Sequence, residues 1–276
     1  MLGVVKIGGA PGNGAENALR DLAERVGLGE RWVLVHGASG VMDGLCRSAG
    51  LAVRHVVSPS GFRSRFVGDG ERELFEAAAA RVSLEHVQGL GDLGVRGVSL
   101  RPREGGVVGE RKEVLRVVEE GRCRLLRGNW SGSIRQVDPA PLRRAWSRGE
   151  LPILPPLAQD RVSGRNLNVD GDRLAAAVAV ALEASVLVIL SNVPGLLRDP
   201  QDPDSVVSSG DLEDWGALEE MARGNMKRKL QACREALEGG VPRVLLGDSR
   251  QSRPLGEALE GRGTELCRAR ATALAV

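Results

Sequence analysis

The sequence predicts an α/β fold, a sandwich of helices around a largely parallel sheet. Two observations carry that expectation. Short, continuously apolar runs such as WVLV (32–35) and VLVIL (186–190) suit strands buried on both faces of a sheet. Longer segments with helical spacing alternate with them, the pattern of β–α–β units.

The elements follow in order. Gly3–Ile7 is a short buried strand, succeeded by a glycine-rich turn and by helical spacing over Glu16–Val26. Arg31–Val35 is a second strand that ends in His36-Gly37-Ala38-Ser39 and leads into a helix over Gly40–Ala49. Between 51 and 66, VRHVV and FRSRF flank the turn signal Ser58-Pro59-Ser60-Gly61, so a hairpin is expected. Arg72–Leu90 reads as a helix and Val95–Leu100 as a strand. Val114–Val118 and Arg122–Leu126 flank Glu119-Glu120-Gly121, a second hairpin. Pro139–Arg148 is a short helix, Leu151–Leu154 a strand, Asp172–Leu182 a helix and Val186–Leu190 a buried strand. The tract Leu174–Leu190 is alanine-rich and carries Glu183, so it does not read as a membrane span of about 20 strongly apolar residues. Trp215–Leu237 is expected as one long helix interrupted by Gly224, followed by a strand at Arg243–Leu246 and a helix at Pro254–Leu259. The Asp-, Pro- and Ser-rich stretch 198–210 is expected as the most mobile loop. A boundary near 155–165 divides the chain into expected lobes at 1–160 and 161–276.

At 276 residues with 42% apolar and 27% charged content, the chain can bury a sizeable core, which excludes disordered, collagen-like and disulfide-scaffold classes. A formal charge of +2 argues against a dedicated nucleic-acid binder. Cys46, Cys123, Cys233 and Cys267 lie far apart with no CxxC pair, as expected of reduced thiols in a cytoplasmic protein. The N-terminal MLGVVKIGGAPGNG does not read as a signal peptide. Of 38 basic residues only Lys6, Lys112, Lys227 and Lys229 are lysine, which makes each worth inspecting.

Chemistry is expected at the carboxyl ends of the strands, where open α/β sheets bind ligands. Lys6-Ile7-Gly8-Gly9 joins a compact positive charge to glycines whose backbone N–H groups can approach phosphate oxygens. His36-Gly37-Ala38-Ser39 offers a second set of donors if the two strands are neighbours, with His36 itself read as a hydrogen-bonded strand-end histidine. A dinucleotide-binding reading fails because the second strand ends in His36 and not in an acid. Arg165-Asn166-Leu167-Asn168-Val169-Asp170-Gly171-Asp172 precedes an alanine-rich helix; Asp172 is the expected N-cap, and a second carboxylate is left to organise lysine ammonium groups. Ser191-Asn192-Val193-Pro194-Gly195-Leu196 follows the most apolar strand, and Met226-Lys227-Arg228-Lys229 holds half of the lysines.

KIGG, HGAS, NxNxDGD, SNVPGL and MKRK, in this order, resemble the amino acid kinase family over about residues 3–265. Within it the likeness runs to acetylglutamate kinases and, more nearly, to LysW-aminoadipate kinases, through SPSGFRSRF (58–66), RGNWSGSIRQV (127–137), NVDGDR (168–173) and SNVPGLLRD (191–199). The resemblance implies a three-layer αβα sandwich around a mainly parallel eight-stranded sheet. It implies transfer of the γ-phosphoryl group of MgATP to a side-chain carboxylate, with Mg2+ held by phosphates and water and no protein metal ligand. Lys6 and Lys229 would be the catalytic cations, with Asp170 holding them in place. Gly8, Gly9, Gly37 and Ala38 would donate to the phosphoryl oxygens, and Ser191, Asn192, Val193, Gly195, Leu196 and Met226 would line the nucleotide. Arg65, Asn166 and Ser39 would face the acceptor. Arginine suits a planar α-carboxylate through its bidentate fork.

The acceptor implied is aminoadipate or glutamate on a small acidic LysW-like carrier, docked by Arg101, Arg103, Arg111, Lys112, Arg116, Arg122, Arg124 and Arg127 around the second hairpin. The alternatives are a kinase of free N-acetylglutamate and, in a different class, a catalytically weak nucleotide-binding regulator. Relatives suggest a homodimer in lysine or arginine biosynthesis; no membrane or nucleic-acid partner is expected. The chain departs from the family's pattern at Ala38, where a glycine is usual, and at Phe66-Val67-Gly68, where Thr-Asp commonly follows the arginine.

Overall fold

The computed structural model describes residues 1–269. In chain order the first half contributes β1 (Leu2–Ile7), α1 (Ala15–Gly27), β2 (Arg31–His36), α2 (Ser39–Ser48), β3 (His55–Val57), β4 (Arg63–Arg65), α3 (Asp69–Asp92), β5 (Gly97–Ser99), β6 (Val107–Arg111), β7 (Leu115–Glu119), β8 (Arg122–Leu126), β9 (Gly132–Val137), α4 (Ala140–Ser147) and β10 (Leu151–Leu154). The remainder is β11 (Leu157–Asp160), β12 (Asn166–Asn168), α5 (Gly171–Leu182), β13 (Val186–Ser191), β14 (Ser209–Asp211), α6 (Trp215–Met221), α7 (Met226–Glu238), β15 (Arg243–Asp248), α8 (Pro254–Leu259) and β16 (Thr264–Cys267).

Eight strands form the central sheet in the order β14-β16-β15-β13-β1-β2-β10-β5. All its pairings are parallel except β15 with β16. Its central strands are apolar on both sides because both sides are covered. Val4, Val33, Val35, Leu187 and Ile189 pack in one cluster with α5 and α7 residues such as Leu174 and Leu230. Val5, Ile7, Leu34, Val188 and Leu190 face the other way, against Leu19 and Leu22 of α1 and Leu255 of α8. This strand periodicity of two yields the three-layer sandwich that the motifs imply.

Two departures from the sequence reading bear on the site. The expected single helix Trp215–Leu237 is two helices, because Ala222 is extended and Gly224 takes a left-handed φ of +52°. Lys229 therefore lies in the first turn of a fresh helix, α7, and not in the middle of a long one. A four-stranded sheet, β12-β11-β6-β9, also stands where the sequence analysis assigned no element. Its strands are short and polar on one face (VVGER, LAQD, NLN), which hides their periodicity. The 198–210 stretch expected to be mobile is tied down: Leu197 bridges Val206, and the Ser205 hydroxyl donates to the Asp202 carbonyl at 2.7 Å. Residues 270–276 of the expected second lobe lie outside the described residues. Among the described residues, no helix is long and apolar enough to cross a membrane.

Candidate active site

On β1, Val4 faces the α5/α7 layer, so Lys6, two residues on, emerges on that face beneath the start of α5. Asp172 lies in the first turn of α5 and Lys229 in that of α7. Lys6 Nζ lies 2.7 Å from Asp172 Oδ1, and Lys229 Nζ donates to Asp172 Oδ2 at 3.1 Å. All three side chains are at most 13% exposed. Burial alone would raise the Asp172 carboxyl, but the Lys229 and Lys6 ammonium groups outweigh it and hold the acid well below its usual range. Burial lowers Lys6, and the Lys229 charge adds to that. Two cations share one anion in a nearly dry site, leaving a positive charge that a phosphoryl oxygen can answer.

This geometry corrects the two aspartates. Asp170 is the N-cap of α5: its Oδ1 accepts the N–H groups of Asp172 and Arg173, each at 3.0 Å. Its other oxygen faces Arg228 Nη1 at 3.4 Å and makes no ion pair with a lysine. The helix starts at Gly171 and its cap falls at Asp170, two residues before the expected cap at Asp172, and that shift exchanges the two roles.

The two glycine loops, at the ends of β1 and β2, meet backbone to backbone. A Cβ on Gly9 would lie 2.2 Å from the Gly37 carbonyl carbon, and one on Gly37 2.4 Å from Gly9 N, so neither position tolerates a side chain. Not all four expected donors are free. Gly8 N–H donates to Leu190 O at 3.0 Å and Gly37 N–H to Ile7 O at 2.9 Å, extending the sheet. Gly9 and Ala38 are left as the backbone donors of the pair. The Ala38 methyl does not crowd the cleft; it packs with Met42, Cys46 and Phe75 in a cluster between α2 and α3. Ser39 opens α2 and is exposed.

His36 is fully buried, 2.8 Å from the Ser83 hydroxyl through Nε2, with His86 stacked edge-on at 5.3 Å. Burial pushes His36 down to about 3 and His86 to about 4. Both folded values lie below the unfolded 6.5, so between them the unfolded chain binds more protons and stability falls as pH falls. From pH 7 to pH 5 each ring is expected to cost about 2 kcal/mol. Urea unfolding at the two pH values measures it; equal stability would show that neither ring is held neutral.

Among the residues expected to line the nucleotide, Ser191 ends β13 and accepts from Ser249 N–H through its carbonyl at 2.7 Å. Asn192 is exposed and Val193 half-buried. Gly195 passes so close to Thr264 that a Cβ would lie 2.6 Å from its hydroxyl. Leu196 is corrected: its side chain is in the core and its N–H donates to Thr264 Oγ1 at 2.9 Å, so it anchors this loop and does not line it. Met226 begins α7, half-buried against the core.

On the opposite side, Arg65 on β4 is paired with Asp43 of α2. Asn166 Nδ2 donates to Glu76 Oε2 at 2.9 Å, and Glu76 is itself held by Arg72 at 2.5 Å. Asp43 and Glu76 were missed in the sequence; each sits on a helix face where nothing local distinguishes it from solvated acids. The RGNWSGSIRQV segment is a staple under this region. Buried Asn129 accepts from Val67 N–H at 3.3 Å and donates to Lys112 O at 2.8 Å. Arg111, expected at a docking surface, instead lies 3.5 Å over the Trp130 ring and donates to Asn129 O. Arg101 is paired with Glu104 at 2.5 Å. Arg116, Arg122, Arg124 and Arg127, on and beside the β7–β8 hairpin, stay exposed.

The sequence profile of the amino acid kinase family matches residues 1–248. The chain belongs to the amino acid kinase family. It is 40% identical over 263 residues to a LysW-aminoadipate kinase of Deinococcus radiodurans, covering 95% of this chain and 90% of that relative. A LysW-aminoadipate kinase of Thermus thermophilus is 36% identical over 265 residues, covering 95% of this chain and 98% of its own. Among solved structures, N-acetylglutamate synthase from Neisseria gonorrhoeae superposes with a TM-score of 0.75 at 26% identity; the match covers 97% of this chain and 59% of that longer one. Carbamate kinase from Giardia lamblia, at 16% identity, a TM-score of 0.69 and 97% and 98% coverage of the two chains, shares the fold. Amino acid kinase membership and the eight-stranded sheet thus agree with the motif reading.

Proposed function

We propose that this amino acid kinase transfers the γ-phosphoryl group of MgATP to the side-chain carboxylate of an N-blocked acidic amino acid, aminoadipate or glutamate, carried on a small acidic LysW-like protein. The observation that supports it best is the Lys6–Asp172–Lys229 bridge, with Lys6 near the carboxyl end of β1. Phosphoryl transfer needs alignment and charge neutralisation more than covalent help. ATP supplies the phosphoryl group: a carboxylate oxygen bonds to phosphorus as the bond to the β-phosphate oxygen breaks, and no proton moves. A carboxylate is already ionised at neutral pH, so no general base is required. Asp170 and Asp172 are both engaged by protein groups, which suits Mg2+ held by phosphates and water.

In this reading residues 1–160 hold the acceptor, with Asn166 reaching it from the second lobe, and the lobe at 161–276 otherwise holds the nucleotide. Arg65, kept in place by Asp43, meets the α-carboxylate, and Asn166, kept in place by Glu76, meets the blocked amino acid. The exposed arginines of the β7–β8 hairpin meet the carrier's acidic face, and the enzyme works as a homodimer. The names of the Deinococcus and Thermus relatives support a carrier-linked acceptor.

Trapping the acyl phosphate as a hydroxamate tests the acceptor. Turnover of carrier-linked aminoadipate should exceed that of free N-acetylglutamate, and apparent carrier affinity should fall as salt rises while that for ATP changes less. Replacing Arg116, Arg122 and Arg124 together by Ala should weaken carrier-linked turnover alone. Efficient use of free N-acetylglutamate without carrier preference would overturn the carrier reading. Nucleotide binding without turnover of either acceptor would indicate a regulator.

A further inference from the structure

The sequence reading assigned no role to Arg228, the third residue of the MKRK run. In the structure its guanidinium joins parts of the chain that are remote in sequence. Nη2 donates to Ser64 Oγ at 2.5 Å and Nη1 faces Asp170 Oδ2 at 3.4 Å. Ser64 lies on β4, immediately before Arg65. Asp170 caps the helix that carries Asp172, and Arg228 itself immediately precedes Lys229. One side chain thus spans from the β3–β4 hairpin to both helices that present the charged bridge. Strand β4 pairs only with β3 and belongs to neither larger sheet, so its position relative to α5 and α7 is not set by a shared ladder. The guanidinium fork suits the task, since it offers donors in two directions at once where an ammonium is a point charge.

We infer that Arg228 is a positioning residue that couples nucleotide loading at α5 and α7 to the placement of the β4 strand carrying Arg65. It does not touch the reacting atoms. It fixes how far the acceptor's arginine stands from Lys6 and Lys229, so that a shift of α7 on nucleotide binding is passed to the hairpin through Ser64. A misplacement of about 1 Å in such alignment is enough to cost catalysis heavily. This inference rests on the kinase reading for its kinetic consequence, but not for its structural one.

The test uses wild type, Arg228→Gln, Ser64→Ala and the double variant, each with and without a non-hydrolysable ATP analogue. Hydrogen exchange over residues 55–65 is the structural readout. In wild type the analogue should slow exchange in this segment. In both single variants that slowing should vanish, while the affinity for the analogue stays within about two-fold, as expected when no ligand contact is removed. With carrier-linked aminoadipate, kcat/KM for the acceptor should fall about ten-fold in Arg228→Gln, the size of one lost charge-assisted hydrogen bond. The double variant should be no worse than Arg228→Gln, because both changes break the same link. Exchange raised equally with and without the analogue would mean a static tether and overturn the coupling. Multiplicative losses in the double variant would overturn action through Ser64. If wild type fails to phosphorylate the carrier-linked acceptor, the acceptor reading falls, while the exchange experiment still decides the role of Arg228.

Discussion

Lys229→Ala is expected to lower kcat by about 100-fold or more, a loss of about 3 kcal/mol, with a much smaller change in the KM for ATP. The ammonium group is held beside Asp172 in the first turn of α7, where in the proposed reaction it would counter charge that develops as the phosphoryl group moves. Its contribution is therefore larger in the transition state than in the ground state. Lys227 is the control: it is exposed on the same turn, and Lys227→Ala should stay near wild-type turnover. Steady-state kinetics with varied ATP separate the two effects. Near-normal turnover in Lys229→Ala would remove this lysine from the mechanism.

Asp172→Asn is expected to abolish measurable turnover and also to destabilise the fold, whereas Asp170→Asn should do much less of either. Removing the Asp172 charge leaves two nearly buried ammonium groups without their shared anion. Losing one partner of a buried pair typically costs about 3–5 kcal/mol, on the order of 10 °C in melting temperature for a chain of this size. The Lys6 ammonium, already lowered by burial, would shift further toward its neutral form and stop neutralising phosphate charge. At Asp170 the chief structural duty is to cap α5, and asparagine caps about as well as aspartate. Thermal unfolding and turnover of both variants, measured side by side, check the exchange of roles. A more damaging Asp170→Asn would return the organising role to that residue.

The sequence singles out Lys6, Gly9, Gly37 and Lys229 because each is marked locally. A lysine among arginines, or a glycine pair at the end of an apolar run, stands out without knowledge of what lies opposite. Arg65 was legible through its motif, but the acid that holds it was not. Asp43 and Glu76 look like ordinary surface acids of amphipathic helices, and only the packing of α2 against β4 and of α3 against β12 gives them partners. Arg111 failed for the converse reason: a basic residue beside a hairpin suggests solvent, but it lies on β6 of a sheet the pattern did not reveal, and Trp130, nineteen residues away and just ahead of β9, captured it.

By itself the sequence determined the α/β class, six of the eight strands of the central sheet and the edge at which chemistry gathers, because burial on two faces and the need for bare backbone at strand ends are written in local composition. The short strands β14 and β16, at one end of the sheet, carry no such signal. Tertiary structure alone decided which aspartate answers the lysines. In Asp170-Gly171-Asp172 both acids lie within one turn of the helix start, and a two-residue difference in where the cap falls points one at the backbone and the other at Lys6 and Lys229. It also decided that Gly8 and Gly37 use their N–H groups in the sheet while Gly9 and Ala38 keep theirs, since strand pairing across the sheet, and not chain order, sets which donors remain.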